Sequence, residues 1–204
     1  MEGLEMITRN PAGALAHYEA LAARGSLPIA ARGPAWRLFM RVVPPDDPEA
    51  WRVTVTAQRD AYAKLKRNAL EALEHAMNHV DVAPDGDAAS AAANDAAEAL
   101  EEAADQIRRD CERCYLDGAG DDYFESPERQ AALFHALLAW HVGRPGPGYR
   151  QGMHEVLATV SWALEQSRAA SALVCLPPGA PAAALLGDVA HAEADAFWLF
   201  DAVA

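Results

Sequence analysis

The sequence predicts an all-α fold, and three observations support this prediction. Apolar residues recur with helical spacing through most of the chain. Strand signals are nearly absent, because the single β-branched alternation, at residues 53–56, lies inside a longer helical pattern. The composition, with 51% hydrophobic and 23% charged residues, is that of a globular domain. At 204 residues the chain can bury a sizeable core, so we expect one helical domain or a large part of one.

Three helices are predicted in the first part of the chain. The first covers residues 11–23, and the second, with Pro34 in its first turn, extends to about Val43. A proline-rich break follows, and Asp47 opens a long third helix. The apolar face of this third helix is formed by Leu70, Leu73, Met77 and Val80.

Four more helices are predicted in the remainder. The fourth covers residues 94–115, and the fifth starts after a capping Ser126. The sixth begins near Met153 and the last near His191. Residues 168–187 are rich in Ala and Pro and are expected to form a poorly ordered connection. The predicted buried residues of the fourth to sixth helices are Leu100, Ala104, Ile107, Cys111, Cys114, Leu133, Phe134, Leu137, Leu138, Met153, Val156, Leu157, Val160 and Leu164.

The charge of the chain narrows the choice of partners. The net charge of −13 disfavours nucleic acid and anionic lipid, because both are bound through Lys and Arg. Eight carboxylates and no basic residue lie between Asp81 and Asp105. We interpret this acidic run as a solvated loop and an exposed helix face.

Cysteine content and hydropathy indicate the compartment. The chain has 3 cysteines, too few and too odd in number for a disulfide scaffold, which indicates a reducing environment. No run approaches the roughly 20 apolar residues that span a bilayer, and residues 1–10 lack the apolar segment of a secretory signal. We therefore expect a soluble, cytoplasmic protein without direct membrane insertion.

Familiar motifs for metal and phosphate binding do not match. His75 and His79 have the spacing of metal ligands on a helix, but no glutamate follows the first histidine as in zinc proteases. Cys111 and Cys114 form a C-x-x-C without a second pair, and both lie on an apolar stripe, so core cysteines are favoured over a metal site. The glycine- and proline-rich loop at residues 143–148 lacks the Gly-Lys-Ser/Thr of a phosphate-binding loop.

One candidate element lies on the fourth helix. Ile107, Asp110 and Arg113 have the pattern I-x-x-D-x-x-R. Asp110 and Arg113 flank the apolar stripe at positions i and i+3, so the two side chains can pair. Taken alone, this element would be interpreted as a surface ion pair.

Two further candidate functional elements lie elsewhere in the sequence. The segment YRQGM, from Tyr149 to Met153, lies where the glycine- and proline-rich loop enters a helix. The segment RGPAW, from Arg32 to Trp36, lies at a predicted helix start. Taken alone, the first is a helix start with a solvated Gln151, and the second is a helix N-terminus with a core tryptophan.

In this order the three elements resemble the signature motifs of the TBC family of Rab GTPase-activating proteins: R-x-x-x-W, I-x-x-D-x-x-R-T and Y-x-Q-G-M. The separation of Arg113 and Gln151 also fits that family. The resemblance covers residues 32–204. One position departs from the pattern, because Cys114 replaces the usual threonine with a similar volume and a weaker hydrogen-bonding group.

The resemblance implies a TBC-type helical domain over residues 1–204, mainly its N-terminal lobe with the start of the second lobe. Residues 1–30 would form an N-terminal extension, and the domain would be truncated on its C-terminal side. Phe197, Trp198 and Phe200 would then lie at an exposed edge.

The resemblance also implies a function and a site. Arg113 would be the arginine finger and Gln151 the glutamine finger of an activator that acts on a Rab GTPase in its GTP state. Asp110 would hold Arg113 extended, Tyr149 would pack under the loop that aims Gln151, and the RGPAW segment would support the site from behind. The supporting residues implied are Asp110, Arg32, Trp36, Tyr149 and Gly152.

Such an activator needs no cofactor of its own, since GTP and Mg²⁺ are bound by the partner, and it catalyses no reaction alone. We expect a cytoplasmic protein that is recruited to membranes through its partner. If both fingers serve one GTP, the tips of Arg113 and Gln151 can approach within roughly 10 Å across an open surface. Two alternatives remain: a Rab-binding adaptor with the same fold and little activity, and a helical scaffold in which both residues are incidental.

Overall fold

The computed structural model describes residues 2–79, 88–119, 122–144, 146, 148–172, 176 and 180–204. These residues contain no strand, and the predicted all-α fold is confirmed. The chain divides into two compact units: unit 1 comprises Met1–Ala61 and Thr159–Ala204, and unit 2 comprises Tyr62–Ala158. The α-helices of the described residues are α1 (Glu2–Arg9), α2 (Ala14–Ala23), α3 (Ile29–Phe39), α4 (Trp51–His79), α5 (Ala88–Glu112), α6 (Pro127–Gly143), α7 (Met153–Ser171) and α8 (Ala192–Asp201).

The two predicted capping residues both act as caps, although Asp47 caps a 3-10 helix, Pro48–Ala50, that directly precedes α4. The Asp47 carboxylate accepts from the Ala50 N–H at 3.3 Å, one turn before α4. The Ser126 hydroxyl accepts from the Arg129 N–H at 3.4 Å at the start of α6. Both caps satisfy backbone donors that have no partner within the helix.

Helix α3 begins earlier than predicted, and Pro34 lies inside it rather than in its first turn. An internal proline normally breaks a helix because it leaves the carbonyl four residues before it without a partner. Here that carbonyl belongs to Ala30, and the Ser167 hydroxyl donates to it at 3.0 Å. The Gly33 N–H in turn donates to the Ser167 oxygen at 3.0 Å. A side chain of α7 therefore supplies what the proline removes.

The glycine beside this proline allows the close approach of Ser167. A Cβ at Gly33 would lie 3.0 Å from the Ser167 Oγ atom and 3.3 Å from a Leu164 methyl carbon. Both contacts are tighter than ordinary van der Waals distances. Gly33 therefore provides the space in which Ser167 can bond the backbone of α3 beside Pro34.

The core of unit 1 combines both ends of the chain. The expectation that the aromatic residues of α8 would lie at an exposed edge is wrong for Phe197 and Phe200, which are fully buried. Trp198 is half-buried, and its indole N–H donates to the Gln58 carbonyl at 2.7 Å. Buried residues of the main cluster are Leu4, Ile7, Ala14, Tyr18, Ala31, Ala35, Leu38, Val43, Trp51, Val55, Ala182 and Leu185.

The prediction of a poorly ordered connection over residues 168–187 also needs correction. Helix α7 continues to Ser171, and Pro181–Leu185 forms a 3-10 helix. Ala182 and Leu185 join the unit 1 core because their side chains are buried against it. Residues 173–175 and 177–179 of this segment lie outside the described residues.

A buried ion cluster lies beside this core. Arg59 binds Asp195 with two hydrogen bonds, of 3.0 Å from Nε and 2.9 Å from Nη2. The Arg37 Nη2 atom lies 3.0 Å from Asp195 Oδ2, so these two side chains form a buried ion pair. Arg37 is only 1% exposed, and burial lowers its pKa although the Asp195 charge opposes this effect. Asp195 is therefore the counter-charge that keeps Arg37 inside unit 1.

Replacing Asp195 with alanine is expected to lower the free energy of unfolding by about 3–5 kcal/mol, because Arg37 would stay buried without a counter-charge. Urea unfolding followed by circular dichroism measures this loss as a lower midpoint. The control is Asp105→Ala, which removes an exposed pair with Arg108 and should cost less than about 1 kcal/mol. Equal losses in the two variants would contradict a structural role for the cluster.

Unit 2 is built around α5 and α6, which pack against each other. The stripe predicted on α5 is buried at Ala104, Ile107 and Cys111, and Cys114 beyond the helix is buried as well. Both cysteines are free thiols, and burial raises the pKa of Cys111 to about 12 and that of Cys114 to about 11. These thiols are core residues, as predicted.

The apolar face predicted on α4 is correct only in part. Leu73 is buried, but Met77 is 63% exposed. Val80 and the acidic residues Asp81, Asp85 and Asp87 lie outside the described residues, as does the His79 side chain. No helix in the described ranges has the length and apolarity that a membrane span requires.

Candidate functional site

The two residues predicted to act in trans both belong to unit 2. Arg113 directly follows Glu112, the last residue of α5, and its side chain is exposed. Gln151 lies in the turn before α7, which begins at Met153, and is also exposed. Both side chains are therefore available to solvent at the ends of helices.

A hydrogen bond joins the segments that carry these two residues. The Tyr149 hydroxyl donates to Asp110 Oδ2 at 2.8 Å, and the Gln106 amide donates to Asp110 Oδ1 at 2.9 Å. Asp110 is 6% exposed. The bond connects a residue three positions before Arg113 to one two positions before Gln151, so it ties the end of α5 to the loop before α7.

The surroundings of Asp110 keep its carboxylate ionised. Burial alone would raise its pKa, but hydrogen bonds from Gln106 and Tyr149, with the nearby charges of His154 and Arg113, hold the pKa below its usual value. The pKa of Tyr149 is raised, first by burial and then by its bond to Asp110. At neutral pH the pair is therefore a carboxylate and a neutral phenol.

Asp110 does not pair with Arg113 as the helical spacing suggested. Both carboxylate oxygens are used by Gln106 and Tyr149. Within the part of the chain that the structure describes, Arg113 makes neither a salt bridge nor a hydrogen bond, and it acts on Asp110 only through its charge. The physical reason is that the phenol of Tyr149, 39 positions along the chain, donates to Asp110 at 2.8 Å and occupies the carboxylate. The guanidinium is left free for another partner.

The loop before Gln151 is anchored through its backbone. The Tyr149 N–H donates to His141 Nδ1 at 3.0 Å, and burial lowers the pKa of His141, which favours the neutral, accepting imidazole. Gly148 has φ +68°, and a Cβ there would lie 2.6 Å from the same His141 nitrogen. Only glycine combines this backbone angle with so close an approach.

Gly152 fixes the other side of Gln151. Its φ is +98°, a region that residues with a Cβ rarely adopt. Its carbonyl then accepts from the Glu155 N–H at 3.1 Å as α7 begins. Gln151 therefore projects from a turn held by Tyr149 on one side and by a glycine-dependent backbone angle on the other.

His154 belongs to this arrangement, although no role was predicted for it. It is 7% exposed in the first turn of α7, and its Nδ1 atom lies 3.0 Å from the Tyr149 hydroxyl oxygen. The available signal was its place one residue after the YRQGM segment, on the side of α7 that faces inward with Leu157.

The structure places Arg32 and Trp36 on α3 of unit 1, where both are half-buried. Their predicted supporting role stays a prediction. The buried charged residue of this helix is Arg37, which directly follows the segment and pairs with Asp195, and sequence reasoning missed it. An arginine beside a tryptophan in an amphipathic helix carries no sequence signal of burial.

Chemically, unit 2 presents the exposed guanidinium of Arg113 and the exposed amide of Gln151 on segments that a hydrogen bond joins. A guanidinium stabilises anionic oxygen atoms, and an amide can donate and accept at once. Neither group needs to gain or lose a proton near neutral pH. The arrangement is suited to binding a charged group supplied by another molecule.

A family model described as the Rab-GTPase-TBC domain matches residues 31–204. The match includes all three motifs, all of unit 2 and the part of unit 1 from residue 31 onward. Searches of curated proteins and of solved structures give no match for the chain.

Proposed function

The chain belongs to the Rab-GTPase-TBC domain family, and from this premise we propose that it accelerates GTP hydrolysis by inserting Arg113 and Gln151 into the nucleotide site of a GTP-bound Rab. Rab GTPases are the partners that the family implies. The chain lends side chains to the partner and catalyses no reaction alone. GTP and Mg²⁺ belong to the Rab, so no cofactor is assigned to this chain.

The proposed role of Arg113 follows from the charge that develops during phosphoryl transfer. Negative charge spreads over the γ-phosphoryl oxygens in the transition state, and a guanidinium inserted in trans neutralises it at short range. Arginine suits this task because its planar fork can bond two oxygens and is always protonated. The absence of an internal partner for Arg113, within the described residues, leaves the fork available.

The proposed role of Gln151 is to orient the attacking water. Its amide oxygen can accept from the water while its NH₂ group donates to phosphate, so it aligns the nucleophile without titrating. The turn between Tyr149 and Gly152 limits the positions that this side chain can take. A defined starting position lowers the entropic cost of reaching the reactive geometry.

The observation that carries the proposal is the hydrogen bond between Tyr149 and Asp110. It joins the arginine-bearing and glutamine-bearing segments within one unit, as two residues serving a single GTP require. The bond thereby supports a shared role for the two motifs.

The setting proposed for this activity is the cytoplasm, with recruitment to membranes through the Rab. Rab GTPases regulate vesicle and membrane trafficking, so the activator would end a Rab signal there. The net charge of −13 supports recruitment through a protein rather than through anionic lipid.

A second candidate, a Rab-binding adaptor with little activity, is favoured by one observation. Cys114 stands where the family pattern has threonine, directly after Arg113. Its side chain is buried and its N–H donates to the Cys111 carbonyl at 3.3 Å. A thiol in that place forms weaker hydrogen bonds than a hydroxyl, so it supports the arginine less firmly.

Single-turnover GTP hydrolysis across a panel of Rab GTPases tests the proposal. An activator should accelerate hydrolysis on at least one Rab by about 10³-fold or more, because arginine-finger activators act in that range. The control is each Rab alone. Binding to a GTP-loaded Rab without acceleration would favour the adaptor, and neither binding nor acceleration on any Rab would contradict both proposals.

A further inference from the structure

We infer that His154 is a positioning residue for the proposed reaction: its Nδ1–H holds the Tyr149 hydroxyl on Asp110 and so sets the loop that presents Gln151. The inference rests on the proposed function. It concerns a side chain that touches neither the nucleotide nor the Rab in that proposal, and that acts only through Tyr149.

The direction of each hydrogen bond follows from proton counting. An ionised Asp110 carboxylate can only accept, so the single hydroxyl proton of Tyr149 points to Asp110 Oδ2, 2.8 Å away. The phenol oxygen can then only accept from its other neighbour. That neighbour is His154 Nδ1, at 3.0 Å, which must carry a proton. The geometry therefore assigns the Nδ1–H form to His154.

The remaining contacts of the imidazole are weaker. His154 Nδ1 lies 4.0 Å from Asp110 Oδ2, beyond hydrogen-bond distance. His154 Nε2 lies 3.9 Å from an oxygen of Glu155, whose side chain is 70% exposed, so solvent screens this pair. The bond to Tyr149 is the specific contact that this buried ring provides.

His154 affects the site because it helps to restrain Tyr149. Its backbone N–H is fixed by His141, and its hydroxyl is fixed by Asp110 and His154. Removing the histidine donor would leave one acceptor position of the partly buried phenol oxygen unused and allow the ring to shift. Gln151, two residues along, would then sample more positions, which lowers the catalytic rate more than Rab binding.

The test compares His154→Phe, which keeps a ring without a donor, with His154→Asn, whose amide can donate from a similar position. In the full chain, His154→Phe should lower the single-turnover rate at saturating activator by about 10-fold, the usual value of one buried hydrogen bond. Affinity for the GTP-loaded Rab should change less than about 3-fold, and His154→Asn should restore most of the rate. Adding His154→Phe to Tyr149→Phe should cause little further loss.

Two outcomes would overturn the inference. One is equal rate loss in the phenylalanine and asparagine variants, and the other is full additivity with Tyr149→Phe. His154→Leu replaces the phenylalanine variant if circular dichroism shows that the latter does not fold.

A measurement on the chain alone, without any Rab, tests the role of His154 independently of the proposed function. ¹⁵N NMR of the imidazole should show the Nδ1–H form of His154 in the wild-type chain at pH 8, and a loss of that preference in Tyr149→Phe. An Nε2–H form in the wild type contradicts the inference even if the activator works. The expected form with no acceleration on any Rab contradicts the proposed function alone.

Discussion

Replacing Arg113 with alanine is expected to reduce the stimulated rate of GTP hydrolysis by about 10³–10⁵-fold. Arg113→Lys should lose most of the same stimulation, because an ammonium group keeps the charge but cannot bond two phosphoryl oxygens in one plane. Affinity for the GTP-bound Rab should fall far less, since the guanidinium acts mainly on charge that appears in the transition state.

Single-turnover hydrolysis at saturating activator, together with equilibrium binding to a Rab loaded with a non-hydrolysable GTP analogue, measures the two effects separately. Arg108→Lys is the matched control, because Arg108 lies on α5, just before Arg113, and is paired with Asp105 and stacked on Phe134. It should retain nearly full activity. If Arg113→Ala loses binding in proportion to rate, the arginine is a docking residue and the arginine-finger proposal is wrong.

Gln151→Ala is the second substitution with a large expected effect, a rate loss of about 10²–10³-fold, the range found when one positioned polar group is removed from an active site. The physical reason is the loss of alignment between the attacking water and the γ-phosphate. Gln151→Glu should not restore the rate, because a carboxylate accepts from water but repels the phosphoryl oxygens.

The most informative partner for this variant is a Rab whose own glutamine near the γ-phosphate has been replaced by leucine. If the activator supplies the glutamine, the wild-type chain should still accelerate hydrolysis on that Rab, and Gln151→Ala should not. Arg150→Ala, at the exposed neighbouring position in the same turn, controls for general disturbance of the loop. Failure of the wild-type chain on the leucine variant, with activity on the unmodified Rab, would contradict a glutamine supplied in trans.

Features decided by neighbouring residues were the ones that the sequence predicted well. The caps at Asp47 and Ser126 start helices because their side chains bond donors within three residues. The periodic stripe through Ile107 and Cys111 identified the buried face of α5. Each of these patterns is complete within one or two helical turns.

Features decided by distant residues could not be predicted in the same way. Pro34 indicated a helix start, but Ser167 allows α3 to continue through it. Asp110 suggested a pair with Arg113, but Tyr149 takes the carboxylate from 39 positions away. In both cases a hydrogen bond to a residue far along the chain, which no local pattern reveals, determined the structure.

The two-part construction of unit 1 has a consequence for the order of events during synthesis. The residues of unit 2, Tyr62–Ala158, are contiguous, so all of its internal contacts are available once that stretch has left the ribosome. Unit 1 must wait, because the hydroxyl that completes α3 belongs to a residue 134 positions after Gly33. Closing so long a loop is slow compared with forming local helices. Until Ser167 arrives, the Ala30 carbonyl has only water as a partner, so α3 gains its bonds to Ser167 only after the whole of unit 2 has been synthesised.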